Sequence, residues 1–206
     1  MTESGAAEPK PERGPVPGPD GQLRCPWGVS PPEYLSYHDD EWGRPVRGDR
    51  AIFERLCLEG FQSGLSWLTI LRKRENFRKA FAGFDLEAVA AFGPGDIERL
   101  LADRGIVRNR AKINAAINNA RAALGLRGGL SDLVWSYAET EAGAQAGRPA
   151  PRTLDDVPSV TPASKLLAAE LRKNGFTFTG PVTAYAAMQA CGIVNDHLAD
   201  CVARTA

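Results

Sequence analysis

Two histidines are the whole imidazole content of this 206-residue chain, and each stands near a cysteine: Cys25 and His38 at the start, His197 and Cys201 at the end. Positions i and i+4 put His197 and Cys201 on one face of a helix, where both reach a single ion. Either pair alone also has an ordinary reading, as polar side chains bonded near a surface or a chance spacing. Taken together they form a complete tetrahedral donor set, which suits zinc and leaves no open position for a catalytic water. One structural zinc would then tie the N-terminal segment to a C-terminal helix, closing a loop over nearly the whole folded chain. With both histidines committed, Ser-His-Asp and Cys-His hydrolases are excluded, and the closed site disfavours zinc hydrolase chemistry. Cys57 and Cys191 lack such partners and read as core residues.

A content of 43% hydrophobic and 24% charged residues describes a globular protein with one good core or two small ones. No apolar run approaches the roughly 18 residues of a membrane span, and no secretory signal opens the chain. The expected location is the cytoplasm, where cysteines serve as ligands or core rather than disulfides. Lys+Arg and Asp+Glu both number 25, so net charge gives no support for nucleic-acid binding. Locally, Arg104, Arg108, Arg110, Lys112 and Arg121 face one acid, Asp103, between Leu100 and Gly125. Solvated helix faces are the usual explanation of such clusters.

Residues 1–24 are rich in proline and glycine and have no aromatic residue, so a disordered tail is expected. Helices are expected near Pro31–His38, with Tyr34, Tyr37 and His38 on one face, and from Asp49, with Ile52, Phe53, Leu56, Cys57 and Phe61 at helical spacing. That second helix delivers Glu59, a carboxylate between Leu58 and Phe61 whose burial would cost several kcal/mol without a cationic or hydrogen-bonding partner. The neighbouring residues supply none, and a ligand would serve. Gly60 and Gly64 follow before Ser66 and Trp67 start another helix. Asp96–Asp103 and Asn109–Leu124, joined by Arg104–Arg108, fit a helix-hairpin-helix pattern or an ordinary helical turn. In the first reading Gly105 and Val107 lie in a hairpin whose amides face a DNA phosphate, with Arg108, Arg110 and Lys112 adding charge. Glu139–Pro151 reads as a surface loop, Thr161-Pro162 as a helix start, and Asn195 to about Ala203 as the last helix.

Several separated motifs agree in order and spacing. Cys25-x-Trp27, Tyr34-x-x-Tyr37-His38-Asp39-x-Glu41-Trp42-Gly43, Cys57-Leu58-Glu59-Gly60, Gly64-Leu65-Ser66-Trp67, Arg74-Glu75-Asn76, Gly105-Ile106, Met188-Gln189-Ala190-Cys191-Gly192 and Val194-Asn195-Asp196-His197 together resemble the DNA-3-methyladenine glycosylase I family, over about Arg24 to Cys201. The resemblance implies an all-α helix-hairpin-helix glycosylase fold in which a zinc site joins the terminal segments. It divides residues 25–206 into a helix-hairpin-helix half, 49–137, and a zinc-containing half, 25–48 with 138–206. It implies base excision from double-stranded alkylated DNA by a monomer, with free 3-methyladenine as product. Cys25, His38, His197 and Cys201 would be the ligands, and Glu59, Tyr34, Tyr37 and Trp67 the base pocket.

The chemistry is consistent with these roles. Nucleotide-bound 3-methyladenine is cationic and its glycosidic bond is already weakened, so flipping and holding the base achieves much. Glu59 would accept hydrogen bonds from the base and complement its charge, while Tyr34, Tyr37 and Trp67 stack on it. Gln62 to Leu65 is the segment expected nearest the duplex, because Gly64 permits close backbone approach beside Leu65. Gly93-Pro94-Gly95-Asp96 precedes the hairpin and reads as a helix cap, and no lysine occupies the hairpin, so hydrolysis without lyase activity is expected.

Overall fold

Arg24 anchors the start of the described chain. The computed structural model describes residues 13–205. Within them β1 (Val16–Pro17) and β2 (Leu23–Arg24) pair antiparallel, and the buried Arg24 guanidinium bonds the carboxylates of Asp20 and Asp39. A paired arginine thus docks residues that have no aromatic side chain, and the structured segment begins ahead of Cys25. The rest of the expected tail, residues 1–12, lies outside the described residues.

α1 (Pro26–Val29) and α2 (Glu33–Ser36) are single turns, and α2 continues into a wider turn over Tyr37–Glu41, where the Trp42 N–H donates to the Tyr37 carbonyl at 2.8 Å. Only glycine fits at position 28, since a Cβ there would lie 2.4 Å from the His38 ring. α3 (Asp49–Gln62) starts from Gly48, whose φ of +91° a side chain would strain. Asp49 is the first residue of the helix, and its carboxylate accepts from the Ser131 N–H at 2.8 Å. Consecutive burial from Leu56 to Phe61 places the second half of α3 inside the protein on every side.

The Ser66 hydroxyl caps α4 (Trp67–Ala80), accepting from the Thr69 N–H, and α5 (Leu86–Ala90) follows. α6 (Pro94–Ala102) has the cap expected of Asp96, whose carboxylate accepts from the Gly93 N–H at 3.1 Å. Residues 103–109 join α6 to α7 (Arg110–Leu124), and Asn109 caps α7 through the Lys112 N–H. α8 (Gly129–Trp135), α9 (Ala138–Gln145), α10 (Pro162–Lys173) and α11 (Pro181–Ala190) complete the chain's longer helices. α10 starts as expected, with Thr161 capping through the Ser164 N–H and proline in the first turn.

Two segments differ from expectation. α9 replaces the predicted loop because alanine and glutamate favour helix, and the buried Glu141 accepts from the Thr161 hydroxyl at 2.6 Å. The predicted last helix is a series of turns ending in a 3-10 turn at Val202–Arg204. There the Asn195 side chain takes the His197 N–H at 3.3 Å and Ala199 donates to the Pro151 carbonyl at 2.7 Å, so backbone groups that a helix would use are engaged elsewhere.

One hydrophobic cluster runs through α3 to α8 and also takes in Leu167 and Leu171 of α10 and Met188 of α11. The two expected halves therefore share a core. A second, small cluster gathers Cys25, Leu198, Cys201 and Ala203 under Trp27. Among the described residues no helix is long and apolar enough to cross a membrane.

Candidate active site and metal centre

The end of α3 faces a cavity of about 250 Å³ lined by Trp27, Tyr34, Tyr37, Trp42, Glu59, Gln62, Trp67, Ala186 and Gln189. The short α1 and α2 segments bring the N-terminal aromatics over it, α4 contributes Trp67 at its first residue, and α11 closes the far side. Tyr37 and Trp67 face each other at 5.3 Å between ring centroids, while Trp27 meets Tyr34 at 5.8 Å and Trp42 at 5.0 Å, both edge to face. All four expected base-pocket residues thus lie around one cavity. Trp27 and Trp42 complete the aromatic box, although the sequence assigned them no role.

Glu59 is 7% exposed, and its carboxylate has no hydrogen-bond partner among the described residues. Burial pushes its pKa up to about 8, and the Arg55 guanidinium one turn earlier on α3 draws it partly back. Arg55 is itself poorly satisfied: its Nε is buried without a partner, and its terminal nitrogens lie 3.7 Å from Glu41 and Glu54. The i, i+4 spacing of Arg55 and Glu59 was the available sequence signal for this pairing. The indole N–H of Trp67 is likewise buried with no acceptor. An aromatic box with an unpartnered carboxylate and no cation on its wall fits one flat, positively charged ring.

Behind this wall lies a cluster of four residues that could hold a metal ion. The donor atoms of Cys25, His38, His197 and Cys201 lie within 4.8 Å of one another, and all four residues are buried. His38 presents Nε2, since its Nδ1 bonds the Asp39 carboxylate at 2.7 Å, and His197 presents Nδ1, since its Nε2 bonds the Trp42 carbonyl at 3.0 Å. Both outer partners are acceptors, so each ring must donate to them and aim its lone pair inwards. The two inward nitrogens are 3.3 Å apart, and Cys201 Sγ lies 3.5 Å from one and 3.6 Å from the other. Converging lone pairs and thiols of this kind fit a soft or borderline cation of tetrahedral preference. His197 and Cys201 come together across a turn, in which the Cys201 N–H donates to the Leu198 carbonyl at 2.9 Å, rather than along a helix. Trp27 packs on His38 at 5.0 Å and Trp42 on His197 at 4.7 Å, so pocket and cluster share a wall.

The expected duplex contacts separate on inspection. Gly64 adopts φ +79° and Leu65 is 42% exposed at the tip of the α3–α4 loop. In the hairpin, the Gly105 N–H is already bonded to the Asp103 carboxylate at 2.7 Å, and Val107 packs against the core. Arg110 pairs with Glu98, whereas Arg108 is exposed with no side-chain partner among the described residues. Lys112 turns inwards: its ammonium donates to the carbonyls of Phe61 at 2.9 Å and Ser63 at 2.5 Å, closing the C-terminus of α3, where burial lowers its pKa. Lys112→Met is expected to cost about 2 kcal/mol in chemical unfolding, the scale of a charge-assisted hydrogen bond, and to speed hydrogen exchange over Gln62–Ser66. Unaltered exchange there would mean that Lys112 does not hold the loop.

The fold and the pocket together describe a helical protein whose aromatic cavity, with its one buried carboxylate, fits a flat, positively charged ring. A family model described as methyladenine glycosylase matches residues 27–205. DNA-3-methyladenine glycosylase 1 of Escherichia coli (strain K12) is 45% identical over 181 residues, which cover 86% of this chain and 95% of that protein. A crystal structure of 3-methyladenine DNA glycosylase I aligns with TM-score 0.80 and 46% identity, covering 87% of this chain and 98% of that one. The Staphylococcus aureus enzyme, in a structure concerned with 3-methyladenine recognition, aligns with TM-score 0.78 and 36% identity over 86% of this chain and 94% of its own. This chain belongs to the methyladenine glycosylase family.

Proposed function

We propose that the protein binds double-stranded alkylated DNA as a monomer, flips out 3-methyladenine and hydrolyses its glycosidic bond, releasing the free base and leaving an abasic site. The observation that carries this reading is the unpartnered Glu59 carboxylate inside the aromatic box. A flipped 3-methyladenine nucleotide brings the missing cation: its charge pairs with Glu59, its ring stacks within reach of Tyr34, Tyr37 and Trp67, and its amino group donates. Holding the carboxylate beside the weakened bond favours departure of the base. Leu65 fills the space the base vacates, with Gly64 allowing close approach. The α6–α7 pair acts as a helix-hairpin-helix grip on the backbone, where Arg108 supplies the free charge.

Among the described residues no lysine lines the pocket, and Lys112 is engaged with two carbonyls, which supports hydrolysis without the covalent chemistry of a lyase. Cys25, His38, His197 and Cys201 would hold one structural zinc ion, whose chemistry is to fix four ligands rather than to activate water.

The test is incubation with methylated duplex DNA and identification of the released bases. Release of 3-methyladenine without 7-methylguanine, leaving intact abasic strands, is the expected result. β-Elimination products or a borohydride-trapped adduct would overturn monofunctional hydrolysis, and lesion binding without release would make the protein a recognition factor only.

A further inference from the structure

The far wall of the pocket contains a hydrogen-bonded relay that none of the roles above uses. Gln189 lines the cavity from α11, and its Nε2 donates to Oδ2 of Asp196 at 2.7 Å. Asp196 is 6% exposed, and the same oxygen accepts from the Tyr185 hydroxyl at 2.5 Å. The backbone carbonyl of Gln189 is also fixed, accepting from the Gly43 N–H at 3.1 Å. Its side-chain Oε1 has no partner among the described residues.

An amide can normally rotate to present either its oxygen or its nitrogen. Here it cannot, because Oδ2 of Asp196 already serves as an acceptor for the Tyr185 hydroxyl: turning Oε1 towards it would set two acceptors against each other and leave a buried group unsatisfied. Tyr185 occupies the same carboxylate oxygen as a donor and holds it in place. Gln189 is consequently locked as an acceptor within the cavity that also holds the Glu59 carboxylate.

We propose that Gln189 is a specificity-determining residue, and Asp196 its positioning residue, selecting a flipped purine with an exocyclic amino group over one with an oxo group at the same position. The inference rests on the base-pocket reading above. An adenine-derived base offers two N–H donors from its amino nitrogen, which two acceptors can share. An oxo base sets lone pairs against Gln189 and leaves the amide oxygen unsatisfied, an arrangement that sites built around hydrogen bonds reject strongly.

The experiment measures binding of free 3-methyladenine and free 3-methylhypoxanthine, which carries oxo in place of amino, by quenching of the pocket tryptophans. Wild type, Gln189→Met and Asp196→Asn are compared, with melting temperature as a fold control. Wild type is expected to prefer the amino base. Gln189→Met keeps the side-chain length without the acceptor and should narrow that preference by about tenfold, the scale of one hydrogen bond. Asp196→Asn should also narrow it while keeping an acceptor for Tyr185, because the Gln189 amide is freed to turn. A merely structural role would weaken both bases equally and leave their ratio unmoved. An unchanged ratio in Gln189→Met overturns the inference whatever Asp196→Asn does. If wild type bound neither base, the pocket assignment would fail instead.

Discussion

Glu59→Gln is expected to stabilise the protein at pH 9 and to leave its stability nearly unchanged at pH 4. Glu59 has a folded-state pKa pushed up to about 8, against 4.5 for an ordinary glutamate side chain. The fold therefore favours the neutral acid. Stability from this group is fully present below pH 4.5, falls as pH rises between the two values, and reaches its lowest level above 8. The difference corresponds to a penalty on the order of 5 kcal/mol at alkaline pH, which Glu59→Gln removes. The same change takes away a carboxyl that, in the proposed function, ionises against the incoming cationic base, so excision is expected to fall about 10- to 100-fold, as for a lost charge-assisted hydrogen bond. Urea unfolding at pH 4, 7 and 9 beside single-turnover release from methylated DNA checks both halves. A carboxylate retained at a cost in stability but needed for turnover is a binding group. An unchanged rate would remove Glu59 from the mechanism.

The second large effect is on the proposed metal centre. His197→Ala is expected to abolish stoichiometric zinc and lower the melting temperature by about 10–20 °C. Cross-linking positions 25 and 201 constrains nearly the whole chain, and chain entropy alone gives about 5 kcal/mol for a loop of that length, which in a protein this large translates into the stated shift. Loss of metal should also weaken free-base binding, since Trp27 and Trp42 rest on the two ligand histidines. Metal analysis and thermal melting of wild type and variant check this. Full zinc occupancy in His197→Ala would show the ligand set to be wrong.

Rare residue types and broken patterns made much of the site legible in the sequence. Two histidines and two of the four cysteines converge because scarce ligands leave few pairings, and their convergence survives even though the expected C-terminal helix does not form. Glu59 stood out because a carboxylate in an apolar run violates the pattern of its helix. Helix starts at Ser66, Asn109 and Thr161 were readable from capping chemistry, which is local. What escaped was set by tertiary context. Tryptophans default to core packing, so Trp27 and Trp42 carried no sign that they face a cavity. Gln189 is polar by composition and specific only by virtue of Asp196. Lys112 looked like a phosphate ligand because it sits among arginines. Only the packing of α7 against the end of α3 turns it inwards.

That inward lysine bears on how the protein meets its substrate. Lys112 belongs to the first turn of α7, and the carbonyls it holds are those of Phe61, in the last turn of α3, and of Ser63, where the following loop begins. The spacing between the start of α7 and the α3–α4 loop is therefore built in by folding, and the entropy of ordering the start of that loop is charged to folding rather than to any association. A loop held in this way needs no closing step before the base enters.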